Sequence, residues 1–191
     1  MPRIIAGRHR GRRLIAPPGA ETRPTAGRVR QALFDVLWHA PWAGRAAVDG
    51  ARVLDAFAGT GAMGLEALSR GAGHAAFLEN DRAALSALRA NIAACRETGR
   101  CAVLAADASR PPRAPAACTL VFLDPPYGKG LVEASLAALS AAGWIAPGAV
   151  VCAEREAAPA ADAPPPGFAL LAERAHGPAR ILFLRPVDPA A

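Results

Sequence analysis

From residue 51 to residue 154 the chain alternates short apolar runs with Ala- and Leu-rich stretches of helical spacing. The runs Arg52–Phe57, Ala75–Glu79, Ala102–Ala105, Leu120–Asp124 and Ala149–Glu154 are predicted strands. Helices are predicted over Met63–Arg70, Arg82–Cys95 and Leu131–Ala142. Gly71 and Gly143 follow the first and third, in the position where glycine ends a helix at least steric cost. Strands alternating with helices are the signature of βαβ units and a parallel sheet. The first, second and fourth runs are nearly continuous in apolar residues, which predicts burial on both faces. An Ala- and Pro-rich tract, Ala157–Gly167, reads as a surface loop. Beyond it, Ala169–Arg174 and Ile181–Arg185 flank the turn signal His176-Gly177-Pro178 and read as a closing antiparallel hairpin. The expected fold is α/β: a mostly parallel, seven-stranded sheet with an antiparallel C-terminal hairpin.

The first fifty residues follow another pattern. Arg3–Ala6 and Arg12–Ile15 read as two short strands joined by a basic turn around Gly7 to Gly11, which Pro17-Pro18-Gly19 ends. Thr25 then offers an N-cap to a helix in which Val29, Leu33, Val36 and Leu37 recur at helical spacing, flanked by Arg28 and Arg30. Charge sharpens this division. Residues 1–45 hold nine arginines against Glu21 and Asp35, a net of +7, which leaves −1 for the remainder of a chain whose total is +6. Of the 22 basic residues all but Lys129 are Arg, a bias that a GC-rich genome would explain. Such a bias chooses Arg over Lys but does not cluster it, so the segment reads as a phosphate-binding attachment on a near-neutral body. The expected organisation is a basic N-terminal extension over 1–45 and a folded unit over 46–191.

Length and composition narrow the class. At 191 residues and 52% apolar, one domain with a core of mostly Ala, Leu and Val is expected, and wholesale disorder or a disulfide-stapled miniprotein is excluded. Apolar runs fall short of the ~18–20 residues a membrane helix needs. Ile4-Ile5-Ala6 is too short for a secretory core, and residues 1–24 lack the serines of a transit peptide, so a cytoplasmic protein is expected. Cys95, Cys101, Cys118 and Cys152 form no C-x-x-C pair and His9, His39, His74 and His176 are scattered. Reduced packing thiols and no metal site are expected.

The candidate chemistry lies at the ends of the predicted strands. Gly59, Gly61 and Gly64 satisfy G-x-G-x-x-G between a strand and a helix, where backbone amides and the helix N-terminus can face a ligand. Glu79, 20 residues after Gly59, closes the next strand, where a carboxylate can accept from ribose hydroxyls. A nicotinamide dinucleotide and S-adenosylmethionine share that ribose, but Asp55 ahead of the loop would repel a pyrophosphate and attract an ammonium. Asp55 as a local cap on the loop is the alternative. Asp107, after the third strand, either accepts from an adenine amine or is a turn residue.

Asp124-Pro125-Pro126-Tyr127 follows the fourth run and is the most specific motif in the chain. Two prolines fix φ and remove two N–H donors, leaving rigidly aimed acceptors suited to an amine. An exocyclic base nitrogen is a poor nucleophile because its lone pair is delocalised into the ring. Acceptors at Asp124 and the Pro125 carbonyl would draw it toward tetrahedral geometry, and Tyr127 would stack on the extruded base.

The stretches L-D-A-F-A-G-T-G-A-M-G-L-E-A-L, F-L-E-N-D and F-L-D-P-P-Y resemble the Rossmann-like class I amino-methyltransferases that use S-adenosylmethionine. More narrowly, the opening R-I-I-A-G with R-G-R-R-L after it, Arg23-Pro24-Thr25 and R-V-R-Q-A-L-F at 28–34 resemble the RsmD family, which methylates the N2 of one guanine in bacterial 16S ribosomal RNA. The resemblance runs from Arg3 to about Arg185. It implies Asp55, Gly59 and Gly61 at the methionine end of the cofactor, Glu79 at its ribose and Asn80 and Asp107 at its adenine, with Phe57 and Ala108 in the same binding set. It also implies Asp124, Pro125, Pro126 and Tyr127 at the target amine, and Arg23 and Thr25 where the site closes. Arg8, Arg10, Arg12 and Arg13, with Arg23 and Thr25, are the expected RNA contacts. The implied partner is 16S ribosomal RNA, within an assembling small subunit and met by a monomer. Two departures are visible: Pro111-Pro112-Arg113-Ala114-Pro115 stands where a helix would separate the third and fourth strands, and the Ala-rich tract Ala157–Ala163 has no clear counterpart, so no functional residue is placed there. D-P-P-Y alone leaves methylation of adenine N6 open. A nicotinamide-dependent oxidoreductase and a non-catalytic RNA-binding module are the readings from other classes; Asp55 with D-P-P-Y opposes the first and Asp124 the second.

Overall fold

A computed structural model describes residues 2–17, 26–126, 130–156, 163–177 and 179–187. Seven strands form one sheet: β1 (Arg52–Asp55), β2 (His74–Glu79), β3 (Cys101–Ala105), β4 (Cys118–Leu123), β5 (Ile145–Glu156), β6 (Phe168–His176) and β7 (Ala179–Pro186). Their spatial order is β3-β2-β1-β4-β5-β7-β6. The first five run parallel to one another, while β7 runs antiparallel between β5 and β6. The mostly parallel sheet and its closing antiparallel hairpin are as the sequence predicts.

Four α-helices accompany the sheet: α1 (Ala26–His39), α2 (Ala62–Ser69), α3 (Arg82–Ala94) and α4 (Leu131–Ala141). Asp81 caps α3 by accepting from the Ala84 amide at 2.7 Å, satisfying one of the N–H groups a helix start leaves unpaired. Leu33, Phe34 and Leu37 of α1, Leu65 and Leu68 of α2, and Leu88 and Ile92 of α3 pack on one sheet face with Val53, Phe77, Leu120 and Phe122. On the other face Leu136 and Leu139 of α4, with Trp144, pack against Leu54, Val121 and Val151. Both faces of β1, β2 and β4 are thus covered, which is why their sequences are apolar throughout.

Two expectations need adjustment. The N-terminal hairpin exists, but its strands narrow to one antiparallel bridge, Arg3 with Arg13, around a 3-10 turn at Gly7–His9. Its backbone bonds Ile4 to Arg12 and Leu14 to Pro2, while Ile4 and Leu14 are buried in the same apolar cluster as α1 and α2. Strand β5 begins at Ile145 rather than Ala149, because a register shift between its pairings at Cys118 and Leu120 accommodates Pro147 and Gly148. Between β3 and β4 the chain is irregular, as the prolines there demand. That loop is held by Trp144, whose indole Nε1 donates to the Pro112 carbonyl at 2.7 Å, and by the Ala114 amide bonding to the Ala142 carbonyl.

Candidate active site

The sheet order reverses between β1 and β4, and in a parallel sheet the crevice at the carboxyl ends of such a pair is the natural ligand site. Three carboxylates mark the strand ends there, with Asp55 level with Phe77 and Phe122 and so set two residues deeper than Glu79 and Asp124. Glu79 ends β2, Asp55 ends β1 and Asp124 directly follows β4. With strands about 4.8 Å apart, Glu79 and Asp124 stand roughly 10 Å apart with β1 between them.

Glu79 is half-buried and is held by three amides: Gly59 donates to Oε2 at 2.8 Å, and Asn80 and Asp81 each donate to Oε1 at 2.8 Å. A carboxylate offers about four acceptor positions, so one remains beyond these. The bond from Gly59 fixes the glycine loop against the end of β2. Beside it lies a crevice lined by Ala56, Phe57, Leu78, Glu79, Asn80, Ala106, Asp107 and Ala108. It unites five residues expected to meet the cofactor, namely Phe57, Glu79, Asn80, Asp107 and Ala108. Asp107 accepts from both the amide and the hydroxyl of Ser109 at 2.8 Å, and these bonds hold its carboxyl below the ordinary range.

Asp55 is buried and accepts from the Gly64 amide at 3.0 Å, in the first turn of α2. Burial pushes its pKa up to about 7, opposed by the Gly64 bond and reinforced by the charges of Asp124 and Glu79. The local cap weighed as an alternative for Asp55 is therefore present. Gly59 and Gly61 both have positive φ, 51° and 78°. Gly64 serves packing instead: a Cβ there would collide with the Phe77 ring.

Asp124 is exposed at the end of β4, Pro125 is buried and Pro126 exposed. Tyr127, Arg23 and Thr25 lie outside the described residues. Arg8, Arg10, Arg12 and Arg13 surround a concavity at the hairpin tip, on the α2 and α3 side of the molecule.

Sequence reasoning missed the polar residues that bind this tip to the body. Glu66 is fully buried; it accepts from the amides of Ile5 at 2.7 Å and Ala6 at 3.0 Å and from Arg70 Nε at 2.8 Å, with Arg30 Nε 3.6 Å away. Arg30 also donates to the Arg3 carbonyl. Ser69 accepts from the His9 amide, and His9 Nε2 lies 2.6 Å from Glu97. Asn91 accepts from the Ile15 amide at 2.7 Å and donates to the carbonyls of Ile15 and Thr60, each at 2.9 Å. Gly7 approaches α2 so closely that a Cβ would overlap the Ser69 carbonyl. Only the presence of Glu, Ser and Asn on otherwise buried helix faces hints at these roles in the sequence.

The four thiols do not suit nucleophilic work: Cys95, Cys118 and Cys152 are buried, and burial pushes the Cys101 thiol up to about 12. Among the described residues no helix is long and apolar enough to cross a membrane.

Comparison with known proteins adds an independent line. Residues 2–185 match a family profile described as Conserved hypothetical protein 95. Ribosomal RNA small subunit methyltransferase D of Escherichia coli K12 is 38% identical over 176 residues, covering 92% of this chain and 85% of that protein. The Haemophilus influenzae protein of the same description is 34% identical over 182 residues, covering 92% and 89%. A solved E. coli protein, yhhF, provisionally described as a methyltransferase, superposes with a TM-score of 0.81 at 35% identity, over 96% of this chain and 97% of that one.

Proposed function

Since this chain belongs to the Conserved hypothetical protein 95 family, the RsmD family of methyltransferases, we propose that it moves the methyl group of S-adenosylmethionine to the exocyclic N2 of a guanine in the 16S ribosomal RNA of the small subunit. The observation that carries this reading is the placing of Glu79, the deeper Asp55 and Asp124 on three adjacent strands at the switch point of the sheet, with two prolines directly after the last.

The residues present fit this cofactor. The remaining acceptor position of Glu79 suits a ribose hydroxyl, the Asp55 carboxylate an ammonium, and the crevice between Phe57, Asn80, Asp107 and Ala108 a flat base. Gly59 and Gly61 shape the loop beside the methionine end. When bound, S-adenosylmethionine supplies an electrophilic methyl group on a sulfonium.

At the target, Asp124 and the Pro125 carbonyl accept the two N–H bonds of the guanine amine. That pairing turns the nitrogen lone pair away from the ring and toward the crevice, and its worth is that of a positioned transition-state hydrogen bond. The amine becomes acidic only as the new bond forms, so its proton passes to Asp124 or to water afterwards. No covalent enzyme intermediate is needed. Pro126 keeps the turn rigid, and Tyr127 stacks on a base that must be extruded or already exposed. In this reading Arg8, Arg10, Arg12 and Arg13 dock RNA phosphates as part of a basic extension over 1–45, and Arg23 and Thr25 close the site over the 46–191 unit. A single copy of the chain acts in the cytoplasm on an assembling small subunit.

The test is to map modified nucleosides in 16S ribosomal RNA from cells with and without this protein. One N2-methylguanosine should vanish in its absence and return with the intact chain, but not with Asp124→Ala. Loss of an N6-methyladenosine instead would transfer the same chemistry to adenine, and an unchanged map would end the reading.

A further inference from the structure

One face of α3 looks to solvent, and Arg82, Arg89 and Arg96 stand along it and just past its end at intervals of seven residues. Seven residues of an α-helix return to within about 20° of the starting direction, so Arg82 and Arg89 share one face of α3, and Arg96 follows just past its end. All three are exposed, and among the described residues none of their side chains has a hydrogen-bond or ion-pair partner. Ser86 and Ala93 lie between them, too short to shield a guanidinium, and residues 82–96 contain no acid. Leu85, Leu88, Asn91 and Ile92 occupy the buried side. Arg30, Arg70 and Arg100, on the same side of the sheet, have their charge answered, the first two by Glu66 and the third by Glu97. Glu97 is itself buried between His9 and Arg100 and does not answer Arg96.

The stripe has two informative ends. At Arg96 it meets the basic hairpin, which is fastened to this part of the molecule through His9 on Glu97 and Ile15 on Asn91. At Arg82 it adjoins Asp81, whose amide bonds to Glu79 at the crevice. Arg96 is also the one non-glycine residue with positive φ, 58°, among the described residues. It takes the position after a helix where glycine is usual, and so keeps a charged side chain at the join between hairpin and stripe.

We propose that Arg82, Arg89 and Arg96 form a phosphate track that continues the hairpin tip and guides the RNA strand about 21 Å along α3 toward the crevice. This rests on the RNA methyltransferase reading above. An acidic protein fits the stripe less well, because α3 exposes no large apolar side chain to anchor a protein interface.

The experiment measures affinity for a transcribed 16S ribosomal RNA fragment against KCl concentration. It compares the native chain, a stripe variant (Arg82→Gln, Arg89→Gln, Arg96→Gln), a tip variant (Arg8→Gln, Arg10→Gln, Arg12→Gln, Arg13→Gln) and a stripe variant with Lys in place of Gln. Each lost single-strand phosphate contact removes roughly 0.7 from the log–log slope, so the Gln stripe variant should lose about 2. It should bind about tenfold or more weakly at physiological salt, with S-adenosylmethionine affinity and melting temperature unchanged, and Lys should restore the slope. A native slope in the Gln stripe variant, alongside a reduced slope in the tip variant, overturns the track and leaves the RNA reading standing. A native chain with no salt-dependent affinity for this RNA overturns both.

Discussion

The side-chain amide of Asn91 donates to the carbonyl of Thr60, in the middle of the glycine loop, while the same side chain pairs with both backbone groups of Ile15. One almost fully buried residue thereby fixes the glycine loop and the end of the N-terminal hairpin to the same helix.

Asn91→Ala orphans two carbonyls and an amide at once. Unmade buried bonds cost about 1–3 kcal/mol each before water relieves some of them, so a loss of at least ~2 kcal/mol is expected in urea unfolding. Cofactor affinity should weaken with it, because Thr60 loses its anchor. Asn91→Asp should fare little better, since it sets a carboxylate against two carbonyls. A native unfolding midpoint for both variants would show that the three bonds hold nothing.

Glu66 is the corresponding anchor on α2. Its replacement by Ala removes the acceptor for two hairpin amides and leaves Arg30, itself 5% exposed, without its counter-charge. Breaking a buried ion pair by deleting one partner typically costs about 3–5 kcal/mol. Urea titration should place Glu66→Ala among the most damaging single substitutions in the chain. A loss under about 1 kcal/mol would mean the hairpin finds other partners.

For Glu79→Ala, calorimetry should report S-adenosylmethionine binding weaker by about 1–3 kcal/mol, the cost of a lost charged hydrogen bond. A fall in melting temperature should accompany it, because the amides of Gly59, Asn80 and Asp81 lose their acceptor. Unchanged affinity in a destabilised protein would assign Glu79 to loop architecture alone.

Asp55 predicts a pH dependence with a definite sign. Burial raises its pKa to about 7, so the folded protein holds this proton more tightly than the unfolded chain does, where a carboxyl titrates near ~3.9. Its contribution to stability is therefore present below about pH 4 and lost as pH rises through about 7. Cofactor binding should run the opposite way. The ammonium selects the carboxylate, so affinity should rise with pH up to about 7 and level off above it. Calorimetry between pH 6 and pH 8 should give this slope for the native chain and a weaker, flat profile for Asp55→Asn. A flat native profile would remove the ammonium pairing.

At Asp124, single-turnover methyl transfer should fall at least ~100-fold in Asp124→Ala while cofactor affinity holds. Tyr127→Phe keeps the ring face and should stay active, whereas Tyr127→Ala should not. If the Phe variant were as inactive as the Ala variant, the hydroxyl rather than the ring would carry the role of Tyr127.

Much of this was legible because it is written locally. Periodicity and flanking glycines locate the strands and helices to within a few residues, and strand ends carry Asp55, Glu79 and Asp124, which the parallel topology then lines up. The exception in register, β5, follows from Pro147 and Gly148, which a bulge absorbs without ending the strand. What was not legible is pairing at a distance. Nothing near Glu66 or Asn91 reveals that they satisfy backbone groups 60 to 76 positions earlier. Likewise G-x-G-x-x-G presents Gly64 as a ligand glycine, and only the position of Phe77 shows that it makes room for a ring.

The separation of those partners has a consequence during synthesis. The hairpin leaves the ribosome before its acceptors Glu66, Ser69, Asn91 and Glu97, which follow 60 to 88 residues later. At about 5–20 residues per second, several seconds pass before the last of them emerges. Until then the arginines of the first sixteen residues sit on an unanchored chain beside ribosomal RNA, the most abundant polyanion in reach. The nascent protein thus meets a molecule of its substrate's kind before its fold is complete, and the hairpin is fully fastened only once Glu97, just past α3, has emerged.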